Sequence, residues 1–162
     1  MPKDILYFND DCIFSYRIAG VLIRDGKILL QKPKDDDYAL IGGHVAAFET
    51  TADTLRREFK EEIGADISVG ALIGIGEIFF NRGSKPCHQI SLYYKVSLDD
   101  ESQIPLGGVF SGYDDFGNTR IDLDFCWVPL DEFKSATVYP LEMKPHILSG
   151  SDEVFHFVSY DL

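Results

Sequence analysis

Basic residues are scarce in this 162-residue chain: 15 Lys and Arg stand against 27 Asp and Glu, for a formal charge of −12. A surface of that sign repels polyanions, which disfavours a long nucleic acid or an anionic membrane and admits a small phosphorylated ligand where cations screen it. Cysteine is scarce too. Cys12, Cys87 and Cys126 are odd in number, far apart and without a C-x-x-C pair, so neither a disulfide framework nor a zinc site is indicated, and a reducing, cytoplasmic setting is expected. The longest apolar run, 67–80, is too short to span a bilayer and is interrupted by Ser68, Gly70, Gly74 and Glu77. The opening Met1-Pro2-Lys3-Asp4 has no basic segment followed by a long apolar core, so no secretory signal is expected. With 45% hydrophobic and 13% aromatic content, the chain suffices for one α/β or α+β domain spanning 1–162 and is short for two.

Within that domain the punctuation is clear. Asp25-Gly26 between two β-rich runs over 18–32 marks a tight hairpin. Thr50 is placed to cap a helix, with Asp53 closing a capping box and Gly64 as the C-terminal stop. Between them Ala52, Leu55, Phe59 and Ile63 fall in an apolar stripe roughly 80° wide, the face expected to be buried. The runs 67–80 and 90–98 read as a second hairpin about the polar turn 81–86. The acidic, Gly-rich stretch 99–118 reads as a long surface loop. A strand is expected over 120–128, a short helix from Asp131 to Phe133, and a helix over 140–148 whose regularity Pro145 limits.

The chemistry is concentrated in Gly43-x5-Glu49-x7-Arg57-Glu58-Phe59-x-Glu61-Glu62-x-Gly64-Ala65. An isolated E-x-x-E-E is ordinarily a solvated helix face. Here the three carboxylates of Glu58, Glu61 and Glu62 occupy an arc of roughly 100° on the helix, since residues three and four apart are neighbours. Left to themselves they would repel and raise one another's pKa, whereas a divalent cation would neutralise the cluster and take its oxygens as hard ligands.

This pattern resembles the Nudix box, G-x5-E-x7-R-E-U-x-E-E-x-G-U with U aliphatic, and matches all seven of its fixed positions. At average composition a chance match is on the order of 10⁻⁹ per starting position. The resemblance implies a mixed β-sheet packed between helices, an α/β/α sandwich, and metal-dependent hydrolysis of the pyrophosphate linkage of a nucleoside diphosphate derivative. Nucleotide sugars, ADP-ribose, dinucleotide polyphosphates and damaged nucleoside triphosphates are the candidate substrates. It further implies that Glu58, Glu61 and Glu62, with the Gly43 carbonyl, hold Mg²⁺ or, in its place, Mn²⁺. Glu58 and Glu61 then serve catalysis, while Arg57 and Glu49 act as an orienting pair. The implied partner is a small nucleotide, with no long nucleic acid and no membrane, and a homodimer is left open.

Three positions depart from the pattern. Phe59 and Ala65 replace the usual aliphatic residues, and Phe48 stands where many members place Gly before the first motif Glu. Because carboxylates and metal recognise only the diphosphate, substrate choice is assigned to 99–118 and the adjoining strands, with Phe48 at the entrance. Tyr113 and Phe116 either stack on a base or, the reading slightly favoured, pin the loop to the core, and Asp114, Asp115, Asp122 and Asp124 are candidates for an additional acid. Glu77 reads equally as ligand-facing or solvent-facing, and His88 as structural. Competing readings are a non-catalytic, nucleotide-binding regulatory domain, an isoprenoid diphosphate isomerase, and RNA decapping, the last disfavoured by charge.

Overall fold

The structure is a computed structural model. It describes all residues except 1, 33–36, 105, 107–108 and 117–118, and for 109–116 and 119–123 the backbone alone. Eleven strands and three α-helices are described. The strands are β1 (Leu6–Phe8), β2 (Ile13–Arg24), β3 (Lys27–Lys32), β4 (Tyr38–Ala39), β5 (Ile41–His44), β6 (Ile67–Arg82), β7 (Lys85–Leu98), β8 (Val109–Phe116), β9 (Thr119–Pro129), β10 (Val138–Tyr139) and β11 (Phe155–Asp161). The helices are α1 (Thr51–Ile63), α2 (Leu130–Ser135) and α3 (Met143–Ser149).

The order β10-β4-β3-β2-β7-β6-β11 forms the main path of a mixed sheet. Strand β2 is its centre, antiparallel to β1, β3 and β5 and parallel to β7 over ten register pairs from Ile13↔Cys87 to Leu22↔Val96. Alternation along β2 and β3 divides the core. Ile18, Leu22 and Leu29 point to a cluster completed by Leu55 and Phe59 of α1, while Ala19, Val21, Ile28 and Leu30 point to one completed by Phe133 of α2 and Met143 and Ile147 of α3. Because successive side chains on a strand take opposite faces, one run of apolar residues supplies both layers. The expected α/β/α sandwich is thereby built. Among the described residues no helix is long and apolar enough to cross a membrane.

The expected hairpin at Asp25-Gly26 forms with both residues at positive φ, 49° and 74°, the two-residue turn that matches strand twist. The second hairpin is tighter than expected: 81, 82, 85 and 86 belong to the strands, pairing Asn81↔Pro86 and Arg82↔Lys85, so only Gly83-Ser84 turns. Polar side chains obscured the pairing there, but backbone hydrogen bonds do not depend on side-chain polarity.

The stretch 99–118 is not the continuous loop its composition suggested. It opens with a 3₁₀ turn, Glu101–Gln103, pinned by Arg24 Nη1 donating to the carbonyls of Glu101 (2.9 Å) and Ile104 (3.0 Å). It continues as β8, antiparallel to β9 from Val109↔Cys126 to Phe116↔Thr119 and beside α1. Pairing with β9 supplies the backbone partners that an acidic, Gly-rich sequence does not advertise. The strand, short helix and late helix expected downstream all form, the last starting later, at Met143, with Pro145 in its first turn, where no intrahelical N–H bond is lost.

The turn that feeds α1 carries the backbone's costliest choice. Glu49 N donates to Ala46 O (3.1 Å), closing a turn in which Phe48 sits at φ 67° with its side chain fully exposed. A bulky residue in the left-handed region costs roughly 1–2 kcal/mol, and here no burial offsets it. Phe48→Gly is therefore expected to raise stability by about 1 kcal/mol in denaturant melts; unchanged or lower stability would show the turn to be unstrained.

Candidate active site

Helix α1 starts and stops where its sequence directs. Thr50 Oγ1 accepts from Asp53 N (3.1 Å), and Gly64 closes the end at φ 69°, its N–H bonded to Lys60 O. The Asp53 carboxylate does not complete the box but takes Arg56 Nη1 (2.8 Å), one turn along. The buried face differs from the expected stripe. Leu55 and Phe59 are fully buried, Ala52 and Ile63 only half-buried, and the acids Glu58 and Glu62 are buried to 7% and 4% exposure. Glu61, between them in sequence, keeps 51% of its side chain in solvent. Two carboxylates thus lie within the buried face rather than beside it, a placement that costs several kcal/mol per ion unless cations and donors meet them.

Arg57 meets much of that demand. Its Nε donates to Glu49 Oε1 (2.9 Å) and its Nη2 to Glu49 Oε2 (2.9 Å), a two-pronged pairing that fits planar guanidinium to planar carboxylate. Its Nη1 reaches Glu58 Oε1 (2.9 Å) and Glu61 Oε2 (3.3 Å), and Nη2 also reaches the His44 carbonyl (3.3 Å). Thr54 Oγ1 adds a hydrogen bond to Glu49 Oε2 (2.8 Å). One side chain therefore joins the turn before α1, two of its acids and the end of β5. The Arg57 hydrogen bonds hold the Glu49 carboxyl below its usual range, and the same contacts push the Arg57 guanidinium further up. Beside them, burial lowers His44 to about 4, with the charges of Arg17 and Arg82 acting in the same direction, so its imidazole is neutral near pH 7.

Gly43 lies in β5, opposite Ile18 of β2, and not in a turn. Its Cα faces the Glu58 carboxylate so closely that an added Cβ would stand 2.3 Å from Glu58 Cδ and Oε1. Only glycine admits that approach, and it places the peptide of β5 against the acid of α1. The neighbouring Gly42 is required by a different contact, the Ile18 carbonyl, 2.0 Å from where its Cβ would be.

Of the sequence-predicted set, the structure brings Gly43, Glu49, Arg57, Glu58 and Glu61 into one connected network and buries Glu62 on the same helix. It does not gather the three acids into a ligand cluster: among the described residues, no group of three or more His, Cys, Asp or Glu side chains is arranged to hold a metal ion. Arg57 Nη1 stands between Glu58 and Glu61, in the position of a cation shared by both. The donors themselves, carboxylate oxygens at a glycine-lined cradle, suit a hard divalent ion.

Other candidates fall elsewhere. Glu77 is taken up by His156 of β11, Oε2 to Nε2 at 2.7 Å, and His88 packs on Phe79 with ring centroids 4.5 Å apart. Asp114, Asp115, Tyr113 and Phe116 lie on β8 and Asp122 on β9, with side chains outside the described residues, while Asp124 is a partly buried residue of β9. Sequence reasoning missed a cavity of about 720 Å³ whose lining includes Arg17, Gly42, Tyr93, Tyr139, Glu142 and Tyr160. Period-two alternation on β2 and β7 carried part of this signal, since Arg17 and Ser91 are register neighbours on one face. The contribution of β11 and the turn at 139–142 had no local signature.

A depressed carboxylate pKa has a stability consequence of fixed sign. The Glu49–Arg57 contribution is fully present above the ordinary carboxylate range and is lost as pH falls through the folded value. Thermal melts from about pH 6 to pH 3 should show a steeper loss of Tm in the natural protein than in Glu49→Gln; parallel curves would remove the pair from the stability account.

A family model, NUDIX domain, matches residues 15–147. Curated relatives include the CTP pyrophosphohydrolase of Escherichia coli, 39% identical over 61 residues, covering 35% of this chain and 45% of that protein. Another is the ADP-ribose pyrophosphatase of Methanocaldococcus jannaschii, 39% identical over 62 residues and covering 36% of this chain and 37% of that protein. The matched parts are less than half the length of either. Among solved structures, a NUDIX hydrolase from Nitrosomonas europaea aligns with TM-score 0.61 at 14% identity, over 96% of this chain and 82% of that one, a likeness of fold. With the motif complete, its helix packed on the sheet as the fold requires, and the family model covering most of the chain, the protein belongs to the Nudix family.

Proposed function

We propose that this protein is a divalent-metal-dependent hydrolase that cleaves the pyrophosphate linkage of a nucleoside diphosphate derivative. The observation that carries the reading is the contact of the buried Glu58 carboxylate with Gly43, fixed by Arg57: the fold holds an acid in its interior against the backbone of β5. Glu58, Glu61 and Glu62, with the Gly43 carbonyl, are the residues that would hold Mg²⁺ or Mn²⁺. Bound there, the ion would screen the diphosphate and polarise its phosphorus.

The chain's own residues do the rest. Gly42 lines the cavity and Gly43 touches Glu58, so a diphosphate lying along this strand reaches the acids while its attached group enters the cavity. Arg17, in register with His44 and lining the same cavity, supplies the cation for a phosphate in a chain otherwise rich in acids. Glu58 would accept the proton of an attacking water. The new P–O bond forms as the bridging P–O bond breaks, releasing a nucleoside monophosphate and the phosphate of the other group. Arg57 and Glu49 orient these acids without touching substrate.

Two competing readings lose ground. A regulatory domain without turnover would have no need of all three motif acids, and none is replaced. An isomerase would place a cysteine against its substrate, and among the described residues none of Cys12, Cys87 and Cys126 lines the cavity.

Glu61→Gln keeps side-chain volume and removes the charge. Its kcat on a substrate panel with Mg²⁺ should fall by about 10²-fold or more, the scale of losing one charge-stabilising group, with the melting curve retained. Arg57→Lys should cost about 10–100-fold, because an ammonium cannot reproduce the two-pronged pairing. Full turnover by the natural protein in excess chelator, or by Glu61→Gln, would overturn the assignment.

A further inference from the structure

The proposed reaction leaves open which group occupies the cavity, and the cavity's chemistry is asymmetric. Its lining carries the Arg17 guanidinium, the carboxylates of Glu142, from the turn between β10 and α3, and of Asp161, at the end of β11, and the ring of Tyr93. Tyr93 is 3% exposed, and burial pushes its pKa up to about 12, with the negative charge of Glu142 adding to the rise. The Tyr93 hydroxyl therefore stays protonated with the Glu142 carboxylate nearby. Two further tyrosines line the same space from separate elements, Tyr139 of β10 and Tyr160 of β11, both more exposed than buried at 61% and 73%. Flat, half-solvated rings at a cavity mouth are stacking surfaces for a base.

We propose that this cavity is a base-binding site selective for guanine, with the Glu142 carboxylate as the specificity-determining group. The inference rests on the hydrolase reading above, which supplies the diphosphate at Gly42–Gly43. An ionised carboxylate offers acceptors only. Guanine presents two N–H donors side by side, at N1 and N2, and can satisfy both carboxylate oxygens at once. Adenine and cytosine set an amino group beside a ring acceptor, and uracil flanks its one N–H with two carbonyls, so in each a lone pair confronts the carboxylate. A site built to receive hydrogen bonds rejects a ligand that cannot give them, because its own polar group is left unmet. Tyr139 and Tyr160 add affinity for any base and no choice among them.

Calorimetric binding of GMP, AMP, CMP and UMP to the natural protein tests the site directly. GMP should bind at least about tenfold more tightly than the others, and Glu142→Gln should erase most of that margin while leaving AMP within about threefold of its original affinity. Tyr139→Ala, in contrast, should weaken all four alike. The four glucose-linked nucleoside diphosphates, assayed in parallel, should rank in the same order by kcat/KM, with Glu142→Gln acting mainly on KM for the guanine substrate. Four equal affinities, or a Glu142→Gln variant that weakens every base equally, would overturn the proposal. Turnover without base preference would overturn it and leave the hydrolase reading standing. GMP selectivity without turnover of any substrate would do the reverse.

Discussion

Two carboxylates buried on one helix are the constraint around which the rest of this structure is arranged. Glu58 and Glu62 lie in the face of α1 that packs on the sheet, where charge is expensive, and Glu58 rests directly against the backbone of Gly43. That contact dictates the glycine, since any side chain there would occupy the carboxylate's space. It also dictates Arg57, whose Nη1 reaches Glu58 while its other nitrogens grasp Glu49 and the His44 carbonyl. Glu49 is in turn delivered by a turn with Phe48 in the left-handed region and is steadied by Thr54. A hydrophobic helix face would have packed with none of these devices. Their presence indicates that the position of the acids, rather than stability, is what the arrangement serves.

The sandwich lets one strand pair serve both sides of this chemistry. Strand β2 sends Ile18 and Leu22 toward α1 and Ala19 and Val21 toward α2 and α3. Its Arg17 lines the cavity, and its partner β5 brings Gly42 to the cavity and Gly43 to the acids. Adjacent residues of a short strand thus face the charged cluster and the cavity. A nucleoside diphosphate derivative, elongated with a charged section and a flatter group beyond, suits the proposed use of both.

What could be read from sequence was local. The cap at Thr50, the stop at Gly64 and the Asp25-Gly26 turn all act within a few residues, and each stands where expected. The burial of Glu58 and Glu62 escaped the helical-wheel reading because hydrophobic period treats charge as solvent-facing. Arg57, which meets the Glu58 carboxylate, is itself held by contacts eight and thirteen residues away, to Glu49 and the His44 carbonyl. Strand β8 was hidden by acidic and glycine residues whose pairing depends on β9. Strand β11 was invisible because its parallel partner β6 lies far back in the chain. The cavity was lost for the same reason: Arg17, Tyr93, Glu142 and Tyr160 share no window of sequence.

The proposed cation site consists of the acids of α1, with Arg57 positioning Glu58 and Glu61. Electron paramagnetic resonance of Mn²⁺ titrated into the natural protein and into Glu58→Gln tests this without reference to any substrate. Saturable binding by the natural protein, with affinity reduced by about 10-fold or more in the variant, is the result the account predicts. Equal binding by both proteins, or none by either, would contradict it.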